Sequence, residues 1–156
     1  MERSRADDLI EICRLKARYF RFLDTKQWAE LRALLDDDLV YYADTSPAPE
    51  STKPAVVGAD AFVARVSQSF ADAVSVHHGS APEIDFITDN EATGIWAMYD
   101  WVDDKRTRQC RKGYGHYHDR YKKDTHGRWR MTEVRLTRIR VDLSPSVLTS
   151  AGRRDG

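Results

Sequence analysis

The residue that packing alone explains least is Asp100. It lies on a predicted strand over residues 91–103. Its neighbours on the same strand face are all apolar: Trp96, Met98 and Val102. Burying an unpaired charge is costly, so a carboxylate on this face is expected to be paired or functional. The alternative is that the strand bulges and releases Asp100 to solvent beside the acidic turn that follows.

A pair of adjacent histidines is the second candidate for proton transfer, because the ordinary pKa of histidine is about 6.5. His77 and His78 are neighbours on a predicted strand, so only one of them can face the interior. The apolar pattern favours His78, which shares a strand face with Val74 and Val76. A buried histidine can also be purely structural, with its ring satisfied by neighbouring backbone groups.

Asp24 and Tyr19 lie near the end of the first predicted helix, which starts at a capping box formed by Ser4 and Asp7. Asp24 is followed three residues later by Gln27, which is good chemistry for capping a second helix. A capping carboxylate has a spare oxygen, so Asp24 can also orient another side chain. Tyr19 belongs to the apolar face of the helix, but a buried phenol needs a polar partner and can polarise a substrate carbonyl.

These residues are positioned by helices that precede a series of long strands. Apolar residues at helical spacing predict helices over residues 7–23, 27–35 and 59–72. Strand patterns separated by hairpin signals follow near residues 39–42, 74–79, 82–88, 91–103, 108–123 and 128–142. This order predicts an α+β domain in which helices pack into a strongly curved, mostly antiparallel sheet that encloses one pocket. We predict a domain over 1–143, a rim loop over 45–54 and a flexible tail over 144–156.

The composition limits the partners of the chain. Its 156 residues include 25 Lys plus Arg and 25 Asp plus Glu, so the formal net charge is zero and nothing favours nucleic acid or an anionic membrane. No stretch approaches the ~18 consecutive apolar residues of a membrane span. The charged start lacks the features of a secretory signal. We therefore expect a cytoplasmic protein whose partner is a small molecule, without nucleic acid or membrane contacts.

No cofactor or metal is expected from the motifs. The sequence contains no nucleotide-binding loop or nucleophile elbow. Cys13 and Cys110 have no metal-ligand spacing. His116 and His118 lie two apart on one strand, but no third ligand follows at a suitable spacing, so we expect them at the sheet surface or in a subunit contact.

Several segments resemble the SnoaL-like (nuclear transport factor 2-like) superfamily, including its scytalone dehydratase and bile-acid dehydratase branches. The resemblance spans roughly residues 8 to 142. It rests on the order and spacing of short segments at 22–31, 76–79, 91–96, 113–116, 121–123 and 127–129. It implies a cone-like α+β barrel.

The resemblance also implies a site. In this superfamily an aspartate at the end of the first helix is paired with a histidine on the sheet, and these positions match Asp24 and His77. The resemblance therefore favours His77 over His78. Tyr19 and Asp100 match positions of the bile-acid dehydratase branch.

Two positions depart from the scytalone dehydratase branch. Val102 stands where that branch has a second histidine, and Ala43 stands near the position of its pocket tyrosine. The specific scytalone reaction is therefore not implied.

The function implied by the resemblance is a cofactor-independent dehydratase with a His–Asp acid–base pair. Its substrate would be a hydrophobic polycyclic or aromatic hydroxy-carbonyl compound, such as a polyketide or steroid. A non-catalytic binding or assembly module, a ketosteroid-isomerase-like enzyme and a dehydrohalogenase-like enzyme remain alternatives. The residues predicted to contact the substrate are Phe20, Tyr42, Phe62, Trp96, Met98, Tyr117 and Arg140, although aromatic residues also fill ordinary cores. An exposed outer sheet face predicts a homo-oligomer, either dimer or trimer.

Overall fold

The helices come first along the chain. The computed structural model describes residues 4–43 and 53–148. Within these residues the chain forms three helices, α1 (Arg5–Asp24), α2 (Trp28–Arg32) and α3 (Ala59–Ser69). None of these helices is long and apolar enough to cross a membrane.

α1 begins at the predicted capping box. Ser4 Oγ accepts the Asp7 backbone N–H at 3.2 Å, and Asp7 Oδ2 accepts the Ser4 backbone N–H at 3.1 Å. Two N–H groups that the helix leaves without partners are thereby satisfied, which fixes the start of α1.

Six strands form one mixed sheet in the described residues. They are β1 (Leu35–Ala43), β2 (Val56–Val57), β3 (Ala73–Phe86), β4 (Glu91–Asp104), β5 (Gln109–Lys123) and β6 (Trp129–Pro145). Their order across the sheet is β2-β1-β6-β5-β4-β3. Only β1 and β6 are parallel neighbours in this sheet. The sheet is not closed, since β2 and β3 are its edges. The order of helices followed by a mostly antiparallel sheet confirms the predicted α+β fold.

The boundaries of two elements differ from the prediction. α2 ends at Arg32 because Leu35 already pairs with Met131 of β6, so sheet pairing overrides the helical pattern over 27–35. The strands predicted at 74–79 and 82–88 are one strand, β3. Its register shifts between Ser80 and Glu83, so the break that the sequence indicated is a bulge rather than a turn.

The chain beyond residue 143 is held in place for several residues. β6 continues to Pro145, and the backbone N–H groups of Ser146 and Val147 donate to Arg108 O and Asp103 Oδ2, each at 3.0 Å. The last strand therefore extends two residues beyond the predicted domain end at 143, while the flexibility of the tail over 144–156 stays a prediction. The rest of that segment and most of the predicted rim loop lie outside the described residues.

An ion pair is buried in the core beneath α1. Lys16 Nζ lies 2.7 Å from Asp119 Oδ2 of β5, and both side chains are 0% exposed. The ammonium lies over three aromatic rings, at 3.8 Å from the centroid of Tyr117, 4.8 Å from Tyr19 and 4.9 Å from Phe20. Burial lowers the pKa of Lys16 and raises the pKa of Asp119, while their mutual attraction opposes both shifts.

Candidate functional site

Asp24, the last residue of α1, binds His77 of β3. Its Oδ1 lies 2.6 Å from His77 Nδ1 and accepts the Ser75 hydroxyl at 2.8 Å. Its Oδ2 accepts the His77 backbone N–H at 2.8 Å. An ionised carboxylate only accepts hydrogen bonds, so Nδ1 carries the proton in this pair and Nε2 is left as the basic nitrogen. Nε2 has no hydrogen-bond partner among the described residues.

The carboxylate of Asp24 does not cap α2. The N-cap residue of α2 is Gln27, and no side chain makes a cap hydrogen bond there. The capping interpretation of Asp24 is therefore wrong, and both of its oxygens are used by β3.

β3 turns His77 inward and His78 outward. His77 is 9% exposed, and it follows Ser75 on the face that meets α1. Val74 and Val76 are 48% and 39% exposed on the opposite face, together with His78. The apolar alternation therefore indicated the wrong face, because the inward positions of β3 carry polar residues of the site.

Asp100 of β4 is the cross-strand partner of His77 and binds Arg138 of β6 with both oxygens. Arg138 Nη2 donates to Oδ2 at 2.7 Å and Nη1 donates to Oδ1 at 3.1 Å, and both side chains are almost fully buried. Burial alone would raise the pKa of Asp100. The hydrogen bonds and charge of Arg138, followed by the charges of Arg111 and His77, outweigh burial and lower this pKa. Asp100 is therefore an anion at the cross-strand position of His77.

Gly113 of β5 lies between the two partners of this ion pair. It pairs with Asp100 in the sheet, and a Cβ at this position would overlap the carboxylate of Asp100 and the guanidinium of Arg138. The ion pair can therefore extend flat across β5 only because residue 113 has no side chain.

Tyr41 and Tyr117 lie near this ion pair, and Tyr19 lies beside Lys16 and Phe62 in the core. Burial, followed by neighbouring phenols and carboxylates, raises the pKa of Tyr19 and of Tyr117 well above the usual value. Burial also raises the pKa of Tyr41, although the nearby arginines, of which Arg138 acts most, oppose this shift. None of the three hydroxyls has a hydrogen-bond partner among the described residues. All three phenols keep their protons near neutral pH and can donate a hydrogen bond.

Two open spaces adjoin the site. A cavity of ≈ 330 Å³ is lined by Tyr41, Phe70 and Arg138, among others. A groove of ≈ 400 Å³ between α1 and β3 is lined by Asp24 and His77. The Phe70 ring faces the cavity and packs edge-on to the His77 ring, with centroids 5.6 Å apart.

The residues predicted to contact the substrate occupy three kinds of position. Phe20 and Trp96 line the groove beside Asp24 and His77. Phe62, Met98 and Tyr117 are buried in the core and line neither space.

Tyr42 and Arg140 also lie away from both spaces. The ring of Tyr42 is covered by the guanidinium of Arg135, 3.6 Å from its centroid. Arg140 is 71% exposed and binds Asp142 at 2.7 Å.

The prediction for Arg140 is wrong because of a bulge in β6. Tyr114 pairs with Arg140 and Gly115 pairs with Arg138, so Ile139 is the extra residue and the two arginines point to opposite faces. The cavity arginine is therefore Arg138, which a regular alternation could not distinguish from Arg140.

Two further histidines, His116 and His118, lie on the outer face of the sheet. The rings of His116 and His118 lie 6.2 Å apart, and His118 Nε2 lies 3.1 Å from Thr137 Oγ1. Throughout residues 4–43 and 53–148, no group of three or more His, Cys, Asp or Glu side chains is arranged to hold a metal ion.

The family of the chain follows from a match over most of its length. A family profile described as a SnoaL-like domain matches residues 4–135. The chain belongs to the SnoaL-like domain family. In this SnoaL-like protein, Val102 and Ala43, the two departures from the scytalone dehydratase branch, both line the ≈ 330 Å³ cavity.

Solved structures share this SnoaL-like fold. A proposed scytalone dehydratase of Novosphingobium aromaticivorans is 23% identical with a TM-score of 0.72, and 94% of each chain is covered. A hexachlorocyclohexane dehydrochlorinase of type 2 is 13% identical with a TM-score of 0.78, covering 92% of this chain and 93% of the other. A Kribbella flavida protein is 20% identical with a TM-score of 0.77, covering 89% and 95%. At such identities the likeness establishes the fold.

Proposed function

We propose that this SnoaL-like protein is a dehydratase of hydrophobic hydroxy-carbonyl compounds, with His77 as the general acid–base. The observation that carries the proposal is the 2.6 Å contact between Asp24 Oδ1 and His77 Nδ1, which leaves Nε2 basic. Two fold neighbours bear the names of elimination enzymes, a dehydratase and a dehydrochlorinase. The substrate class is an aromatic or polycyclic compound of polyketide or steroid type.

The proposed reaction uses one proton twice. His77 Nε2 removes the proton from the carbon next to the carbonyl, and the electron pair moves onto the carbonyl oxygen as an enolate. Return of this pair forms a carbon–carbon double bond and expels the β-hydroxyl. The departing hydroxyl takes the proton back from Nε2 and leaves as water.

The neighbours of His77 would stabilise the charges that form. Asp24 keeps the ring oriented, and Asp100 stabilises the imidazolium through its charge. Tyr19 keeps its phenolic proton because burial raises its pKa. Its side chain is 4% exposed and lines neither space, so donation to the enolate oxygen requires the substrate to reach below the groove.

Replacement of His77 tests the proposal, and His116 provides the control because its ring lies on the outer face of the sheet and lines neither space. Purified protein is incubated with a panel of aromatic and steroidal β-hydroxy ketones, and mass spectrometry detects loss of one water. We expect His77→Ala to lower turnover about 10²–10⁴-fold and His116→Ala to leave it near wild type. Equal turnover by the wild type and His77→Ala would remove His77 from the mechanism.

Other products would identify the alternative functions. The packing of Phe62, Met98 and Tyr117 into the core favours a binding module over an aromatic-lined catalytic pocket. Binding of the panel compounds with no change in their mass or spectrum would support that role. A product of unchanged mass with a migrated double bond would indicate an isomerase, and loss of halide from halogenated compounds would indicate a dehydrohalogenase.

We also propose that the protein self-associates through the outer face of the sheet. Val74, Val76 and Ile95 are 48%, 39% and 37% exposed there, and the rings of Tyr99 and Tyr114 pack at 5.4 Å. Light scattering during size-exclusion chromatography would give the mass of a dimer or trimer. A Val76→Lys variant should shift that mass toward the monomer, and a monomeric wild type would contradict the proposal.

A further inference from the structure

The cavity of ≈ 330 Å³ has an excess of positive charge. Four arginines line it, Arg65, Arg106, Arg111 and Arg138, and the acidic residue among its described lining is Asp104. Such a site attracts anions, since the arginine charges are held in a partly enclosed space.

The acidic groups near the cavity are already occupied by two of these arginines. Arg138 takes both oxygens of Asp100. Arg106 lies 3.6 Å from Asp104, whose carboxylate also accepts the Arg106 backbone N–H at 2.8 Å and the Thr107 hydroxyl at 3.1 Å. Little acidic charge remains for Arg65 and Arg111.

Of the four cavity arginines, Arg111 and Arg65 lack a strong acidic partner among the described residues. Arg111 Nη2 lies 4.0 Å from Asp100 Oδ2, and its Nε is buried with no hydrogen-bond partner in the described part of the chain. Arg65 forms no ion pair with the described residues. A buried donor without an acceptor is costly, so Arg111 indicates that an acceptor arrives with a ligand.

We propose that the substrate is a hydrophobic acid whose carboxylate is bound by Arg111 and Arg65. A planar guanidinium matches a carboxylate with two parallel hydrogen bonds. Val66, Phe70 and Leu136 provide apolar wall for the rest of the molecule. The volume of the cavity, at the lower end of the range for ligand sites, suits one or two fused rings. This inference rests on the proposed function for the reacting end of the substrate but not for its acidic end.

A pair of fluorescent probes that differ in charge tests the acid preference. The probes are 6-hydroxy-2-naphthoate and its uncharged amide, 6-hydroxy-2-naphthamide, titrated at low salt. We expect wild-type protein to bind the carboxylate at least about tenfold more tightly than the amide. The ratio of the carboxylate affinity to the amide affinity should approach one in Arg111→Gln and should fall in Arg65→Gln. It should stay unchanged in the matched control Arg140→Gln, which removes an arginine from the outer face.

Several outcomes would overturn the inference. Equal affinities for the two probes, no carboxylate binding at millimolar concentration, or an unchanged ratio in Arg111→Gln would each do so. Tighter binding of 2-naphthyl phosphate than of 2-naphthoate would show that the site prefers a phosphate to a carboxylate. If Arg111→Gln does not fold, as judged by circular dichroism, Arg65→Gln carries the test because its side chain is on the surface of α3.

Measuring the same ratio in His77→Ala separates this inference from the proposed dehydratase. An intact ratio in the absence of any turnover supports the acid site whatever the reaction is. Efficient dehydration of uncharged compounds without an acid preference overturns the acid site and leaves the dehydratase standing.

Discussion

Replacing Asp24 by asparagine should invert the protonation of the His77 ring. The Asp24 carboxylate accepts three hydrogen bonds, from the Ser75 hydroxyl, the His77 backbone N–H and His77 Nδ1–H. The side-chain amide of asparagine has one oxygen that accepts and one NH₂ group that donates. At least one of the three donors around residue 24 would therefore face the NH₂ group. The backbone N–H cannot change its role, whereas the imidazole can move its proton and the hydroxyl can rotate.

We therefore expect the oxygen of the introduced amide to take the backbone N–H and its NH₂ group to face Nδ1. The ring then accepts at Nδ1 and carries its proton on Nε2, where it can no longer act as a base. Loss of a charged acceptor should lower the free energy of unfolding by about 1–3 kcal/mol. Turnover should fall by up to about 10⁴-fold, the effect of a wrong tautomer in another enzyme with an Asp–His pair.

Nitrogen-15 NMR of the imidazole measures the tautomer without any substrate. Wild-type His77 should show the signature of a protonated Nδ1 and Asp24→Asn that of a protonated Nε2. Ser75→Ala is the matched control, since it removes one donor to Asp24, costs about 1 kcal/mol and leaves the tautomer unchanged. Persistence of the Nδ1–H form in Asp24→Asn would refute the assignment of Nε2 as the base.

Four other substitutions probe the buried charges. Gly113→Ala should displace the Asp100–Arg138 ion pair and lower the free energy of unfolding in urea by about 1–3 kcal/mol. An unchanged free energy of unfolding would mean that the ion pair can move aside. Lys16→Met and Asp119→Asn should each lower the free energy of unfolding by about 3–5 kcal/mol, because each leaves the other charge buried and unpaired. The double variant should lose less than the sum of the two single losses, and additive losses would show that the two groups act independently. Because the pKa of Asp100 is lowered in the folded state, its stabilising effect is present above the ordinary pKa of about 4 and is lost as pH falls below it. Asp100→Asn should therefore lower Tm at pH 7 and weaken the fall of Tm toward acid pH, and an equal acid slope in both proteins would contradict this sign.

Local rules were sufficient for features that depend on neighbouring residues. The capping box at Ser4 and Asp7 follows from side-chain chemistry three residues apart. The buried, paired state of Asp100 follows from alternation along a single strand, because β4 is regular around it. The partner of Asp100 was not predictable, since the choice of Arg138 depends on a bulge at Ile139 that leaves no mark in the sequence.

Long-range pairing explains the other failures. The segment at 27–35 has the pattern of a helix, but parallel pairing with β6 draws its last residue into β1. Lys16 interrupts an apolar helix face because its partner, Asp119, is supplied by a strand near the other end of the chain. In β3 the site requires Ser75 and His77 to face inward, which reverses the usual relation between apolar residues and the core. The resemblance to a family identified His77 where periodicity did not.

The position of His77 on an edge strand has a consequence for heat inactivation. β3 pairs only with β4 within the described sheet, and the contact that orients the ring joins residues 53 apart in sequence. Detachment of the end of α1 or fraying of β3 breaks that contact while the β4–β5–β6 hairpins stay intact. We expect activity to disappear several degrees below the midpoint of global melting. Amide hydrogen exchange at His77 should then be faster than at Tyr117, whose strand has a neighbour on both sides.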